Sequence, residues 1–377
     1  MGNVIDRLMA SEDLCVQYRT LVDICGASPA WPEVRQLRET IRSSARVERL
    51  LSLRGPDGRM PGVYAKYVGA HWVLADLADI GYPPGDASLA PLRDQVYETW
   101  LAPAHTQERV VEREAARYKS RSGVPIIDGR ARRCASQEGN ALYATLALGL
   151  ADERADRLAA NLVRWQWPDG GWNCDRRAEA HTSSFHETLL PLRGLIWHAR
   201  QTGSPTSQQA VERSAEFLLK RRLFRRQSDG SVINDEFLKL RYPPYWHYDI
   251  LIALKVMTEA GFIGDPRCRE ALDLLESKRL ADGGWRAEGK HYRVVDEPAP
   301  GSSLVDWGRV SRKQVMNSFV TVDALYVLRA AGRRAVDETM TRSNGSCAPT
   351  ASKSLESSGS ARPILPRRWP RSGASWR

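Results

Sequence analysis

Apolar residues recur at helical spacing along most of this chain, and alternating strand-like runs are scarce. Residues 161–165 and 215–219 show the pattern clearly, with apolar side chains three and four positions apart. Glycine and proline cluster between such stretches, which is typical of loops. The pattern predicts an all-α protein.

Helical periodicity stops after residues 327–330, and Ser, Arg, Pro and Gly dominate from about 337. We therefore predict one domain over 1–336, with a helical N-terminal portion in 1–52 and a disordered tail at 337–377.

Asp-Gly pairs divide the helical region into units. They occur at 57–58, 128–129, 169–170, 229–230 and 282–283, at intervals of 71, 41, 60 and 53 residues. Each interval fits one helical hairpin with its loops, at about 1.5 Å rise per residue. The spacing alone leaves both an open solenoid and a closed ring.

Two of these units carry a fuller motif, Asp-Gly-Gly-Trp at 169–172 and 282–285. Gln166 precedes the first copy, weaker copies surround Asp57 and Asp229, and Asp128 keeps only its glycine. Asp-Gly forms a tight turn at a helix end, where glycine accepts a positive φ. We expect Gln166 to bind helix-end carbonyls and each Trp to cover a joint between hairpins.

The spacing Gln-x-x-x-Gly-x-Trp resembles the QW repeat of squalene–hopene cyclases, and Asp-Gly-Gly-Trp is similar to a turn in protein prenyltransferase β subunits. The resemblance covers about 50–332. It implies an α/α toroid, a double ring of helical hairpins around a central cavity. By this resemblance, the cavity is lined by the helices that follow the turns, at 67–79, 135–148, 183–197, 246–260 and 315–330.

The densest group of reactive side chains follows the first full motif, between 172 and 187. Cys, Asp and His are ligand types for a zinc ion with an open coordination position. The predicted ligands are Cys174, Asp175, His181, His186 and His247. The alternative assigns them structural roles, with Asp175 or Ser183 capping a helix and Cys174 packed as a small side chain.

Acid chemistry is a second hypothesis. The resemblance suggests an Asp-x-Asp-Asp acid motif, but the sequence contains neither that motif nor Asp-Asp-x-x-Asp. Asp76 and Asp79 stand apart and are predicted to lie on a solvated helix face. The candidate acids are Asp175, Glu187 and Asp249, since a carboxyl group in an apolar cavity has a raised pKa. Alternatively, Glu187 and Asp249 pair with Arg193 or Arg241.

Aromatic residues at 242–248 suit either cation stabilisation or plain packing around a Pro-Pro turn. Together these patterns give two sets of candidate residues. The catalytic set is Asp175, His186, Glu187, Tyr245, His247 and Asp249. The substrate-binding set is His71, Trp72, Glu138, Trp246, Tyr248 and Asn317.

Charge and composition change this picture little. Of the net charge of +10, the segment 341–377 carries seven basic residues and one acid, or +6, which leaves +4 for 1–340. No nucleic-acid partner is therefore expected. The scattered six Cys, the absence of a signal-like N-terminus and the lack of a long apolar run predict a cytoplasmic protein with reduced thiols, in which peripheral membrane contact remains open.

Three functions follow as hypotheses. The first is a squalene cyclase-like or prenyltransferase-like enzyme acting on an isoprenoid or other apolar substrate in the cavity. The second is a polysaccharide lyase-like enzyme using His247, Tyr245, Tyr248, Arg241 and Asn173. The third is a non-catalytic binding protein. A deep apolar pocket would favour isoprenoids, and a polar cleft with exposed Trp would favour sugars.

Overall fold

Helices dominate the structure of this chain. A computed structural model describes residues 3–111, 123–310 and 315–333, so the predicted tail at 337–377 lies outside the described residues. The α-helices in chain order are Val4–Met9 (α1), Leu14–Arg19 (α2), Pro32–Ile41 (α3), Ala45–Leu51 (α4), Ala70–Asp79 (α5), Ala90–Trp100 (α6), Pro103–Thr106 (α7), Ala135–Ala147 (α8), Glu153–Trp165 (α9), Phe185–Thr202 (α10), Pro205–Leu219 (α11), Ile250–Glu259 (α12), Arg269–Ser277 (α13) and Ser318–Ala330 (α14). The prediction of a mostly helical protein is confirmed.

Short strands form two small sheets beside the helices. Glu108–Val110 (β1) pairs in parallel with Val124–Ile127 (β2), which pairs antiparallel with Arg130–Ala131 (β3). Arg293–Val294 (β4) and Ser302–Ser303 (β5) form a parallel pair. The Asp-Gly pair at 128–129 is the tip of the β2–β3 hairpin, with a positive φ at both residues, and is not a helix-end turn.

Five helices, α5, α8, α10, α12 and α14, form the core of the fold. Each packs on the next in this order, and α14 also contacts α2 and the π-helical turn that continues it at Thr20–Cys25. Burial extends round these helices; in α12, nine of ten residues are buried. These core helices fall within the five segments expected to line a cavity, except that α10 continues to Thr202.

Outer helices show the complementary pattern. In α9 the buried residues are Ala155, Leu158, Ala159, Leu162 and Trp165, a single stripe at helical spacing. Because only one face of α9 is apolar, the helix lies on the core with its charged face toward water. The helical pairing α8–α9–α10–α11 repeats this inner and outer alternation.

The Asp-Gly-Gly-Trp turns join neighbouring hairpins, as predicted. Trp172 Nε1 donates to the Leu162 carbonyl at 2.9 Å, and Trp285 Nε1 donates to the Leu275 carbonyl at 2.7 Å, ten residues upstream in each case. Both indoles are almost fully buried. Gln166 Nε2 donates to the carbonyls of Gly170 and Ala210, at 2.7 and 2.9 Å, and so connects the turn to α11.

Replacing Gly170 by alanine is expected to destabilise the protein more than the same change at Gly230. Both have positive φ, +103° and +72°, where alanine costs roughly 1–2 kcal/mol. A Cβ at Gly170 would lie 2.2 Å from the Arg213 carbonyl oxygen, whereas one at Gly230 meets nothing within 4 Å. Denaturant unfolding of the two variants measures the difference, and equal losses would show that the turn does not need this close approach.

A layer of buried charges connects the core helices. Lys255 Nζ lies 2.9 Å from Asp323 and 4.0 Å from Asp79, and Arg193 lies 2.8 Å from Asp79. These contacts join α5, α10, α12 and α14 directly. The ionic layer, as we call it, consists of Arg19, Asp79, Arg193, Lys255, Glu259 and Asp323.

No helix among the described residues is long and apolar enough to cross a bilayer.

Candidate active site

Aromatic side chains contact one another inside the core. They lie near the N-terminal end of α5, whereas Asp79 of the ionic layer lies at its C-terminal end. The Tyr67 and Tyr245 rings are stacked with centroids 3.7 Å apart, and Trp72 lies edge-on to both at 5.1 and 5.5 Å. Tyr292 approaches Tyr245 at 6.1 Å. These four rings belong to α5 and three loops, and we call them the interior aromatic cluster.

Asp76 is an isolated carboxyl group near this cluster. It lies on α5, one turn beyond Trp72, and is only 4% exposed. Its Oδ2 is buried without a hydrogen-bond partner, and so is Trp72 Nε1. Burial raises the pKa of Tyr245 and of Tyr292, and the nearby Asp76 carboxyl adds to both shifts.

Asp76 and Asp79 are one helical turn apart, but the pKa values of their carboxyl groups shift in opposite directions. Burial, with a smaller contribution from Asp79, raises the pKa of Asp76 well above its ordinary value, against a weak opposing effect of Arg46. Burial also disfavours ionised Asp79, but Arg193 and Lys255 outweigh it and hold its pKa below the ordinary value. The paired Asp79 is thus favoured as a carboxylate, and burial favours the protonated form of Asp76.

Sequence reasoning placed both residues on a solvated face, and the structure places Asp76 in the interior instead. The sequence itself indicates that Asp76 is buried. The segment 70–79 (AHWVLADLAD) is apolar on every side of the helix, and such a helix is normally buried. Asp76 is therefore the functional candidate that the absence of an Asp-x-Asp-Asp motif concealed.

His71, a predicted substrate-binding residue, is held on both sides of its ring. Nδ1 accepts from Trp100 Nε1 at 3.2 Å, and Nε2 lies 3.1 Å from the Asn140 amide. Burial lowers the pKa of His71 to about 3, so the ring is neutral. It packs edge-on against Trp72 at 4.7 Å and orients that indole.

Cysteine and glutamate side chains form a second cluster where α8 and α10 begin. Cys134, Cys174 and Glu187 each place one ligand atom within 4.8 Å of the others. Cys174 Sγ lies 3.4 Å from Glu187 Oε1, and the Ser136 amide donates to Glu187 Oε2 at 3.0 Å. Of the five predicted zinc ligands, this cluster contains Cys174 alone.

Glu138, another predicted binding residue, lies beside this cluster. It is fully buried and accepts from Arg133 Nε at 2.7 Å, while its Oε2 has no partner. Burial raises the pKa of Glu138, and the neighbouring Glu187 adds to the shift.

The predicted histidines lie apart from the cysteines. His247 stacks on His291 at 3.3 Å and on Trp246 at 3.9 Å, and His186 lies 6.4 Å from His247. Burial, with His291 next in importance, lowers the pKa of His247 to about 3. Lys66 Nζ lies 4.6 Å from the Trp246 ring on the same side.

Two predicted residues are at the surface. Asp175 forms a bidentate pair with Arg177, whose hydrogen bonds lower the pKa of the carboxyl group. The His181 side chain is 57% exposed, with Nδ1 3.5 Å from Asp128. Neither lies with the Cys134–Cys174–Glu187 group or with the interior aromatic cluster.

Three further predicted residues form hydrogen bonds with backbone groups. Asp249 caps α12, accepting from the amides of Leu251 and Ile252, and Asn317 caps α14. The Tyr248 hydroxyl donates to the Leu223 carbonyl at 2.5 Å. The proposed pairing of Glu187 and Asp249 with Arg193 or Arg241 is not observed, because Arg193 binds Asp79 and Glu259 and Arg241 binds Glu236.

Asp249→Asn is expected to stabilise the protein above neutral pH. Burial raises the pKa of Asp249 to about 7, against 3.8 as its ordinary value. A carboxyl whose folded-state pKa is raised loses stability as pH rises from the unfolded pKa through the folded one, at up to about 1.4 kcal/mol per pH unit. Asparagine keeps the capping oxygen without this cost.

The check is unfolding free energy measured from pH 5 to 8.5. Wild type should lose stability relative to Asp249→Asn across this range. Parallel curves for the two proteins would contradict a raised pKa at Asp249.

Two cavities open on the outer side of the fold. One, of about 520 Å³, is lined by Lys220, Arg222, Arg225, Arg226, Gln227, Gly230 and Glu270. The other, of about 280 Å³, lies between Leu240 and Glu288. Neither is lined by the interior aromatic cluster.

The solved structures that resemble this chain share about 16% of its sequence. No family model matches the sequence, and no curated protein matches it. A solved protein from Actinoplanes is similar at 16% identity over 85% of this chain and 90% of that one, with a TM-score of 0.39. The type II terpene cyclase MstE from Scytonema is similar at 16% identity over 76% of this chain and 96% of that one, with a TM-score of 0.26.

A variant of MstE in complex with geranylgeranyl dihydroxybenzoate is similar at 16% identity and a TM-score of 0.23, over 76% of this chain and 95% of that one. At TM-scores below 0.5 these likenesses do not establish a shared fold or function.

Proposed function

We propose that this chain is an enzyme that protonates a carbon–carbon double bond of an apolar isoprenoid substrate, with Asp76 as the acid. The observation that carries the proposal is the unpartnered Asp76 Oδ2, buried beside the interior aromatic cluster. A buried polar atom without a partner is costly, and such atoms in a native fold call for a functional or solvent explanation.

The surroundings of Asp76 favour the protonated form that this chemistry needs. Its pKa is raised by burial and, to a smaller extent, by ionised Asp79. Two carboxyl groups whose surroundings separate their pKa values are typical of acid catalysis. Here the ionic layer fixes the charge of Asp79, and Asp79 in turn helps to keep Asp76 neutral.

The aromatic side chains supply the second requirement, stabilisation of a cation. Trp72, Tyr67 and Tyr245 present ring faces and edges within 5.5 Å of one another. A ring face attracts positive charge by about 0.5–2 kcal/mol, more where water is excluded.

The chemical step balances without a metal or a redox cofactor. The Asp76 proton adds to one alkene carbon, and the π electrons form the new C–H bond. The other alkene carbon becomes cationic and is attacked by the next double bond, which closes a ring. Loss of a proton from the final cation ends the reaction, and Asp76 regains its proton from solvent.

Substrate entry requires movement of the Tyr67–Tyr245 pair, whose rings are stacked 3.7 Å apart and so occupy the space beside Trp72. Tyr245 has a φ of +52°, a conformation unfavourable for tyrosine, so the loop at 242–248 is a natural hinge. We further propose that the core helices close into the α/α toroid that the sequence motif implies, because ionic contacts already connect α5 to α12 and α12 to α14.

A carbohydrate substrate is disfavoured by the burial of the aromatic side chains. Sugar sites use exposed Trp platforms, and among the large apolar side chains of the described residues only one strongly exposed Trp occurs, Trp31, far along the chain from the cluster. Tyr245, Tyr248 and Arg241, candidates for a lyase, are all buried.

Solvent labelling tests the proposal. Purified protein is incubated in D₂O with squalene and, separately, with geranylgeranyl diphosphate, and products are analysed by mass spectrometry. Acid initiation by a solvent-exchanged carboxyl group predicts cyclic products that carry one carbon-bound deuterium, and none with heat-inactivated protein. Release of diphosphate with an unlabelled product, or no conversion of either polyene, would overturn the assignment of this reaction.

A further inference from the structure

We propose that Cys134, Cys174 and Glu187 bind a zinc ion, at a site separate from Asp76. The three ligand atoms lie within 4.8 Å of one another and come from three segments that the fold brings together. Among the described residues, these three side chains form the one group of three or more His, Cys, Asp or Glu residues whose ligand atoms lie this close together.

The geometry suits a tetrahedral ion. With Zn–S of about 2.3 Å and Zn–O of about 2.0 Å, neighbouring sulfur and oxygen ligands of a tetrahedron are roughly 3.5 Å apart. Cys174 Sγ and Glu187 Oε1 are 3.4 Å apart. Two sulfur ligands of a tetrahedron are about 3.8 Å apart, so the Cys134 sulfur needs to come closer by at most about 1 Å to Cys174 and about 1.3 Å to Glu187.

The backbone fixes each ligand. Cys134 is the N-cap residue of α8, and Glu187 lies in the first turn of α10. Cys174 follows the Asp-Gly-Gly-Trp turn, which Trp172 anchors to α9. The Ser136 amide holds the second oxygen of Glu187 at 3.0 Å, a hydrogen bond of the kind that orients metal-binding carboxylates.

Unpartnered buried groups surround the cluster. Glu138 is fully buried, and its Oε2 has no hydrogen-bond partner. Gln137 Oε1, three residues after Cys134, is also buried without a partner. The site contains two thiols, two carboxyl groups and one arginine, Arg133, which pairs with Glu138. A divalent cation would supply the positive charge that balances the remaining ligands.

Thiolate ligands indicate the class of ion. Two cysteines favour zinc, copper(I) or iron over magnesium and calcium, and a carboxylate as third ligand favours zinc over copper(I). Three protein ligands leave the fourth position open, as in catalytic zinc sites. The site therefore replaces the sequence-based set of Cys174, Asp175, His181, His186 and His247, whose other four members lie elsewhere.

Cobalt titration of the reduced, metal-free full-length chain tests the site. Co²⁺ should bind at one per chain and give a thiolate-to-cobalt charge-transfer band with tetrahedral visible absorption, and one equivalent of Zn²⁺ should displace it. Elemental analysis of protein purified with zinc should find one zinc per chain.

Variants locate the ion. Cys134→Ser and Cys174→Ser should each remove most of the charge-transfer band, and Glu187→Gln should lower affinity about 10–100-fold or more. Cys268→Ser is the matched control, because Cys268 is a free, buried cysteine outside the cluster; it should leave the band unchanged.

No thiolate band in the wild-type titration would overturn the proposal, independently of how any variant folds. A band retained by Cys174→Ser, or stoichiometric iron or copper in place of zinc, would overturn it as well. The Asp76 proposal is unaffected by any of these results, since its solvent-label assay is run on metal-free and metal-loaded protein alike.

Discussion

Asp76→Asn is expected to lower turnover of the polyene substrate by about 10²–10⁴-fold and to remove deuterium from the residual product. Asparagine matches aspartic acid in size and cannot supply the proton. The fold should be retained, because Asp76 Oδ2 makes no hydrogen bond that the change would break.

The pH dependence of the wild type adds a second test. Because the pKa of Asp76 is raised in the folded state, the neutral acid persists to higher pH than in an ordinary aspartate, and activity should fall as pH rises through that raised value. For the same reason ionisation of Asp76 opposes folding at high pH, so Asp76→Asn should be at least as stable as wild type there. An infrared band of a protonated carboxyl group, present in wild type at pH 7 and lost in Asp76→Asn, would identify the acid without any substrate.

Asp249→Asn is the matched control for this experiment. It makes the same substitution at another buried aspartate with a raised pKa, but Asp249 is bonded to backbone amides at a helix cap. Turnover should be nearly unchanged. If Asp76→Asn remained within about tenfold of wild type, or if both variants lost activity equally, Asp76 would not be the acid.

Asp323→Ala is expected to lower the free energy of unfolding by about 3–5 kcal/mol, the range for breaking a buried ion pair. Asp323 bridges Lys255 at 2.9 Å and Arg19 at 2.5 Å, and all three side chains are at most 7% exposed. Its loss would leave two buried cations short of a partner. The ionic layer connects α2, α12 and α14 through this residue, so the whole core should be affected.

The sign of the pH effect follows from the pKa of Asp323. Burial would raise it, but Lys255 and Arg19 outweigh burial and hold it below its ordinary value. A carboxyl group with a depressed folded-state pKa contributes stability above its unfolded pKa, near 4, and loses this contribution as pH falls through the folded value. The difference between wild type and Asp323→Ala should therefore be full at pH 7 and shrink in acid.

Glu98→Ala is the control, because Glu98 pairs with Arg59 at 2.8 Å on the surface, where its side chain is 53% exposed. Its stability should change little, since water screens exposed pairs. Denaturant unfolding at pH 7 compares the two variants. A loss at Asp323 no larger than at Glu98 would show that the buried charges do not stabilise the core.

The sequence by itself determined the helices and the turns that join them. Periodicity and glycine placement are local properties, and the Trp of each Asp-Gly-Gly-Trp turn bonds a carbonyl ten residues upstream, as Trp172 does at Leu162. The motif could therefore be interpreted before any packing was known. Gln166 connects the first of these turns to α11.

The candidate site residues were predicted less completely than the fold, because residue types alone do not show how deeply a side chain is buried or how far apart two side chains lie. Cys174, Asp175 and His181 are neighbours in sequence, yet Asp175 pairs with Arg177 near the surface and Cys174 points to Glu187. A turn sends successive side chains in different directions. Sequence proximity therefore predicted too many metal ligands around Cys174 and missed Cys134, which lies forty residues earlier in the chain.

Only the tertiary structure separates the pKa values of Asp76 and Asp79. Asp76 and Asp79 are the same residue type on one helix, and their pKa values separate because Arg193 and Lys255, from two other helices, reach Asp79 and not Asp76. Desolvation and pairing depend on what surrounds a group in three dimensions. The sequence determined that α5 is buried, and the packing of α10 and α12 against it determined the charge of each aspartate.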